Sequence, residues 1–146
     1  MTSLTLVRRI RARPETVFEL LTTADGMSEW WGPDAGPVLQ AESDPRVGGR
    51  FRVRFRQLDG TEEETNGEFL EFSPPWRVVM SWWWTSRRVD PGVSRVEIAL
   101  RRVAEGTELT IVHSELDNPD SQRSHAEGWA GAIDNLEAAL RSMTRE

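Results

Sequence analysis

The side chains best suited to chemistry are two histidines, His113 and His125, and seven tryptophans. The chain has no cysteine, lysine or tyrosine, and its 18 basic residues are all arginine. These absences exclude thiolate metal sites, disulfides, cysteine nucleophiles and Schiff-base lysines. The two histidines are not spaced i,i+4 and have no other metal ligands nearby, so the sequence predicts no metal and no other cofactor.

His113 follows the strand parity of Leu109 and Ile111, so its side chain is expected to point inward. There it could act as a general base or ligand contact, or it could be a neutral, hydrogen-bonded core residue, which we favour. His125 could lie at a pocket mouth, but a partly exposed position on a helix is favoured. A carboxylate beside a histidine could support proton abstraction, and four carboxylates are candidates: Glu68, Glu71, Glu115 and Asp117. No spacing requires such a pair, and no catalytic residue is predicted.

The tryptophans are concentrated where a pocket could form. Trp82, Trp83 and Trp84 are consecutive on a predicted strand and must alternate between its faces, with Trp82 and Trp84 inward by parity with Val78 and Met80. An aromatic-lined pocket for an apolar or ring-shaped ligand and ordinary core filling explain the cluster equally well. The predicted ligand-binding residues are Trp30, Trp31, Phe55, Phe69, Met80, Trp82, Trp84, His113, Trp129 and Ile133.

The elements that position these side chains are predicted from hydrophobic periodicity. A strand over 4–11 precedes a helix opened by Pro14, which Asp25-Gly26 is expected to break before a short helix over 27–31. Period-two alternation then predicts about six more strands, the clearest over 50–56, 63–72, 77–84, 96–100 and 109–113. After residue 118, a long amphipathic helix has one apolar stripe: His125, Trp129, Ala132, Ile133, Leu136, Leu140 and Met143.

Charge and length exclude several classes of protein. The net charge of −6 argues against binding of nucleic acid, and no segment is apolar enough to cross a membrane. The 146 residues fit one domain over 1–146. With no signal peptide predicted, the expected location is cytoplasmic. The arginines at 50, 52, 54 and 56 could bind an acidic partner, although a solvated sheet face paired with the glutamates at 62–64 is favoured.

Six segments, taken in order, resemble a known family: residues 9–18, 30–33, 44–51, 67–75, 106–111 and 128–129. Together they are similar to START-like (SRPBCC, polyketide-cyclase-like) helix-grip proteins, and within these to the Hsp90 ATPase activator homologue (AHSA1-like) family. The resemblance implies an α+β fold. A curved antiparallel sheet of about seven strands would wrap around a long C-terminal helix, with two short helices after the first strand.

The resemblance leaves three functions open, because the same fold serves lipid carriers, cyclases, hormone receptors and co-chaperones. The leading hypothesis is a binding module that holds a small hydrophobic or aromatic molecule between the sheet and the C-terminal helix. The first alternative is a co-chaperone-like domain acting on an Hsp90-type ATPase. The second is a polyketide cyclase or hydrolase-like enzyme using His113 with a carboxylate. A monomer or homodimer is expected, with neither nucleic acid nor membrane as partner.

Overall fold

Seven strands and three helices make up the described part of the chain. The computed structural model describes residues 2–85, 92–116 and 118–144. The elements in chain order are β1 (Thr2–Ile10), α1 (Pro14–Thr22), α2 (Ala24–Trp30), β2 (Val38–Ser43), β3 (Arg50–Arg56), β4 (Glu62–Ser73), β5 (Arg77–Trp84), β6 (Ser94–Val103), β7 (Gly106–Leu116) and α3 (Pro119–Thr144). Among these helices, none combines the length and hydropathy needed to span a membrane.

The strands form one antiparallel sheet in the order β1-β7-β6-β5-β4-β3-β2. Each of the strands β2 to β6 pairs with the strand that follows it in sequence, and β1 pairs with β7, the last strand of the described residues. The sheet curves around α3, which contacts β1, β7 and α2. This α+β helix-grip architecture, with two short helices after the first strand, confirms the fold predicted from the sequence.

The inner face of the sheet and one stripe of α3 form the core. On β3, Phe51, Val53 and Phe55 are at most 2% exposed, while the intervening arginines face outward, as period-two alternation requires. On α3, Ile133 and Leu136 are fully buried. The apolar stripe is shorter than expected: it ends at Leu140, because Met143 lies in the last turn and is half exposed.

The first two helices meet at Thr23, not at Asp25-Gly26 as the sequence predicted. The Thr23 hydroxyl accepts a hydrogen bond from the Gly26 N–H at 3.0 Å, so it caps a second helix that already begins at Ala24. A threonine at the N-cap stabilises the start of a helix, because its hydroxyl accepts a hydrogen bond from a backbone N–H that has no partner within the helix. Asp25 and Gly26 therefore lie in the first turn of α2, and the predicted helix over 27–31 is displaced towards the N-terminus.

The edge strand β2 was not located by its sequence pattern. Its residues are nearly all half-buried, so the strand lacks the alternation of buried and exposed positions that makes a strand recognisable. Its pairing with β3 also contains a register shift between Val38 and Gln40.

The outward arginines of β3 face solvent, and three of them pair with glutamates of the neighbouring strands: Arg50–Glu68, Arg52–Glu42, Arg52–Glu64 and Arg56–Glu62, at 3.3–3.9 Å. Exposed pairs of this kind contribute little stability. The arrangement agrees with a solvated sheet face whose charges are balanced within the sheet.

Candidate ligand-binding cavity

A cavity of about 400 Å³ opens between α3, strands β3–β5 and the segment that follows α2. Its volume falls within the range of small-molecule sites. Six aromatic side chains line it: Trp30, Trp31, Phe55, Trp82, Trp84 and Trp129. Polar lining comes from Gln57, Glu63, Ser124, His125 and Glu127. Small residues, among them Gly32, Gly128 and Ala132, leave the space between the rings open.

Trp82 lies at the centre of the aromatic cluster. Its ring stacks on Trp31 with centroids 5.5 Å apart and an angle of 16° between the planes. It contacts Trp129 at 5.2 Å and meets Trp84 edge-on at 5.9 Å. Offset-stacked and edge-to-face geometries are those that aromatic pairs prefer. Strand β5 thus provides Trp82 and Trp84, and α2, its C-cap and α3 provide the rings that pack around them.

The segment after α2 is tied to α3 by one asparagine. The Asn135 side-chain amide lies within hydrogen-bond distance of three carbonyls: 3.3 Å from those of Trp30 and Gly32, and 2.6 Å from that of Asp34. Gly32 has a φ of +110°, a conformation that favours glycine. A turn that only glycine adopts easily therefore brings the backbone of residues 30–34 against the helix.

Close packing on the same helix reinforces this contact. A Cβ placed on Gly131 would overlap the Pro33 carbonyl oxygen, so the absence of a side chain lets the segment approach α3. At the far end, the Asp34 carboxylate accepts hydrogen bonds from the N–H groups of Gly36 and Leu58. The wall containing Trp30 and Trp31 is thereby fixed between α3 and the β3–β4 turn.

His113 is fully buried and both of its ring nitrogens are engaged. The Trp129 indole, which can only donate, gives its N–H to His113 Nδ1 at 3.0 Å. Nε2 therefore carries the proton and donates to the Ser94 hydroxyl at 2.7 Å, and this hydroxyl in turn donates to the Trp82 carbonyl at 3.3 Å. Burial, and secondarily the nearby His125, lower the pKa of His113 to about 3. His113 is thus a neutral structural residue.

His125 forms a second pair with a tryptophan, and it lies in the cavity wall. Its Nε2 accepts the Trp84 indole N–H at 3.1 Å, so Nδ1 carries the proton and donates to the Ser121 carbonyl at 2.8 Å. The side chain is only 7% exposed. The expectation of a partly exposed helix position was wrong, because the helix turns this face towards Trp84. The rings of His113 and His125 meet edge-on with centroids 4.7 Å apart.

The structure brings together six of the ten predicted ligand-binding residues, namely Trp30, Trp31, Phe55, Trp82, Trp84 and Trp129. Phe69, Met80, His113 and Ile133 are core residues at most 1% exposed and do not line this cavity. His125, Gly128 and Ala132 were not in the predicted set. Counting from His125 as position i, Gly128 is i+3, Trp129 is i+4 and Ala132 is i+7, so all four lie on one face of the helix. This spacing could have predicted that they line the cavity together with Trp129.

The carboxylates considered as partners of a catalytic histidine lie elsewhere. Glu68 and Glu71 form ion pairs with Arg50 and Arg77, Glu115 is exposed, and Asp117 lies outside the described residues. Within the described ranges, no group of three or more His, Asp or Glu side chains is placed to hold a metal ion. The cavity lining itself offers indole faces for stacking and the polar side chains of Gln57, Glu63, Ser124, His125 and Glu127 for hydrogen bonding.

A sheet wrapped around a C-terminal helix, with an indole-walled cavity between them, defines a protein of the helix-grip class. The chain matches the family model described as "Activator of Hsp90 ATPase homolog 1-like protein" over residues 11–141. It belongs to that family, which confirms the resemblance seen in the sequence. A comparison with curated proteins found no match.

Solved structures agree with the family assignment. The AHSA1 protein from Silicibacter pomeroyi is 25% identical with a TM-score of 0.86, and the match covers 97% of this chain and 99% of that one. A protein from Nitrosomonas europaea is 24% identical with a TM-score of 0.80, covering 99% and 97%. The AHSA1-like protein from Aeromonas hydrophila is 19% identical with a TM-score of 0.79, covering 99% and 96%. The last two show similarity of fold alone.

Proposed function

We propose that this protein binds a small apolar or aromatic molecule in the cavity between the sheet and α3. The observation that carries the proposal is an open space of about 400 Å³ bordered by five indoles and Phe55. In a purely structural aromatic cluster, close packing would fill such a space. A planar ring system entering it would stack on indole faces and lose contact with water.

The available surface is sufficient for useful affinity. Burying about 300 Å² of apolar ligand surface contributes about 8 kcal/mol at ~25 cal/mol per Å². Micromolar binding requires about the same free energy, and the costs of association reduce the net gain. A bicyclic ring should therefore bind more weakly than micromolar, and a larger ring system is expected to be needed for micromolar affinity. Ser124 and Glu127 are exposed and line the cavity, so a part of the ligand that stays in contact with water would lie beside them.

A residue that fills the cavity provides the test. A Cβ on Gly128 would meet only the Pro33 Cβ, at 3.9 Å, so Gly128→Leu should extend into the cavity without a backbone clash. We expect N-phenyl-1-naphthylamine to bind the wild-type protein saturably, and Gly128→Leu to weaken this binding at least tenfold. Ser142→Leu, at an exposed position of the same helix, is the matched control and should bind like wild type.

A second comparison separates cavity tryptophans from exposed ones. Trp82→Ala should weaken probe binding more than Trp76→Ala, because Trp82 is 5% exposed in the cavity wall and Trp76 is 46% exposed. Saturable quenching of the intrinsic fluorescence gives an independent readout. The proposal is refuted if no apolar probe binds, or if Gly128→Leu binds as tightly as wild type while remaining folded.

The family description raises the alternative of a co-chaperone-like partner of an Hsp90-type ATPase. Its test is the ATPase rate of such a chaperone with and without this protein, and a saturable increase independent of Gly128→Leu would support a role of the outer surface. A cyclase or hydrolase is less well supported, because His113 is neutral with both nitrogens engaged. We also propose that the protein is located in the cytoplasm. Detection of the protein in the soluble fraction of disrupted cells would test this location.

A further inference from the structure

The five indoles of the cavity wall differ in the state of their N–H groups. Four of them donate: Trp30 to the Leu20 carbonyl, Trp31 to the Thr65 hydroxyl, Trp84 to His125 and Trp129 to His113. The fifth, Trp82, has a buried Nε1 with no hydrogen-bond partner in the described part of the chain. This indole is also the central ring of the cluster and part of the cavity lining.

An unsatisfied donor at this depth requires an explanation, because buried N–H groups in native proteins nearly always have an acceptor. The nearest ring acceptors do not supply one. His113, whose ring lies edge-on to Trp82 at 5.5 Å, already accepts from Trp129 through Nδ1 and uses Nε2 to donate. His125 accepts from Trp84 through Nε2 and uses Nδ1 to donate.

We propose that the ligand of this cavity is a neutral aromatic molecule bearing a hydrogen-bond acceptor, such as an aryl ketone, and that the Trp82 N–H donates to that acceptor. The proposal rests on the proposed function and specifies its ligand class. A plain hydrocarbon would leave the donor unsatisfied, whereas a carbonyl oxygen would satisfy it in a site shielded from water. The Trp82 Nε1 is not accessible to solvent in the absence of a ligand. Because its N–H is the one in this group without a partner among the described residues, the Trp82 ring would have to shift to bring its N–H to the cavity surface as the acceptor approaches. Glu127 lines the same cavity, and its charge favours a neutral acceptor over an anionic one.

Two probes of nearly the same shape isolate the acceptor. 2-Acetylnaphthalene carries a carbonyl where 2-isopropenylnaphthalene carries a methylene group. The affinity ratio of ketone to alkene, measured by titration, should fall at least fivefold from wild type to Trp82→Phe. Trp84→Phe is the matched control, because that indole also lines the cavity but its N–H is bonded to His125. Its ratio should remain within twofold of the wild-type value.

Spectroscopy of the wild-type protein makes the test independent of how well the variants fold. In ¹⁵N–¹H spectra the assigned Trp82 indole resonance should move downfield with the ketone and not with the alkene. An unchanged ratio in Trp82→Phe, or a Trp82 resonance that responds equally to both probes, would overturn the acceptor proposal while leaving the cavity as an apolar site. Failure of both probes to bind would overturn this proposal and the proposed function together.

Discussion

Replacing Gly131 by alanine should destabilise the protein, although the same change in a helix interior normally stabilises it. Alanine has the higher helix propensity, by about 1 kcal/mol over glycine. At this position, however, the new Cβ would overlap the Pro33 carbonyl oxygen and lie 2.8 Å from the carbonyl carbon. Both are backbone atoms, so no rotamer change relieves the overlap. The helix and the segment after α2 must move apart.

The magnitude follows from opposing contributions. Overpacking a tight contact costs about 1–3 kcal/mol, and separation also lengthens the hydrogen bonds of Asn135 to residues 30–34, each contributing about 1 kcal/mol. The gain of about 1 kcal/mol in helix propensity offsets part of this cost, so the free energy of unfolding should fall by about 2 kcal/mol. For a chain of this size that loss lowers the melting temperature by about 4–8 °C.

Urea unfolding followed by tryptophan fluorescence measures the free energy of unfolding directly. Gly128→Ala is the matched control on the same helix, because its Cβ would meet only the Pro33 Cβ at 3.9 Å, so this variant should be as stable as wild type or slightly more stable. Gly131→Ala should also bind apolar probes more weakly, since it displaces the wall that contains Trp30 and Trp31. If both alanine variants were stabilised to the same extent, the close approach of α3 to Pro33 would be refuted.

Three further outcomes are expected. Leu136→Asp should lose about 3–5 kcal/mol in urea unfolding, because a charge replaces a fully buried side chain, and a wild-type melting temperature would contradict the helix-grip packing. From pH 6.5 to pH 5 the wild type should lose about 1.6 kcal/mol more stability than His113→Gln, because the unfolded histidine takes up a proton in this range and the folded one, whose pKa burial lowers to about 3, does not. Equal pH slopes for the two proteins would show that the pKa of His113 is not lowered in the folded state. His113→Ala should leave any turnover of an ester panel unchanged, and loss of turnover would favour the enzyme hypothesis.

The fold could be predicted because its signals are local and repeated. The alternation on β3 and the apolar stripe of α3 each imply one buried face. The period of each pattern therefore predicted both the type of element and which side chains point inward. The sequence failed where tertiary contacts decide the outcome. Strand β2 is half-buried throughout, and the α1–α2 boundary depends on a cap at Thr23.

The candidate site was predictable only in part, for a related reason. Strand parity turned Trp82 and Trp84 inward, but parity cannot distinguish a side chain on a cavity wall from one in the filled core, and Phe69 and Met80 belong to the core. The burial of His125 depends on Trp84 of a strand 41 residues away. Hydrophobic periodicity in the sequence gives no information about a contact between residues so far apart.

The two histidines explain how an aromatic cluster can leave a cavity without collapsing into it. Each accepts an indole N–H and donates to an oxygen, so Trp129 of α3 and Trp84 of β5 are held in defined orientations. Asn135 fixes the segment that carries the remaining indoles of that wall. Rings restrained in this way cannot close the space by rotating freely. Under the proposed function, a ligand would not have to order these rings on binding, and the polar network would lower the cost of association by preorganising the apolar surface.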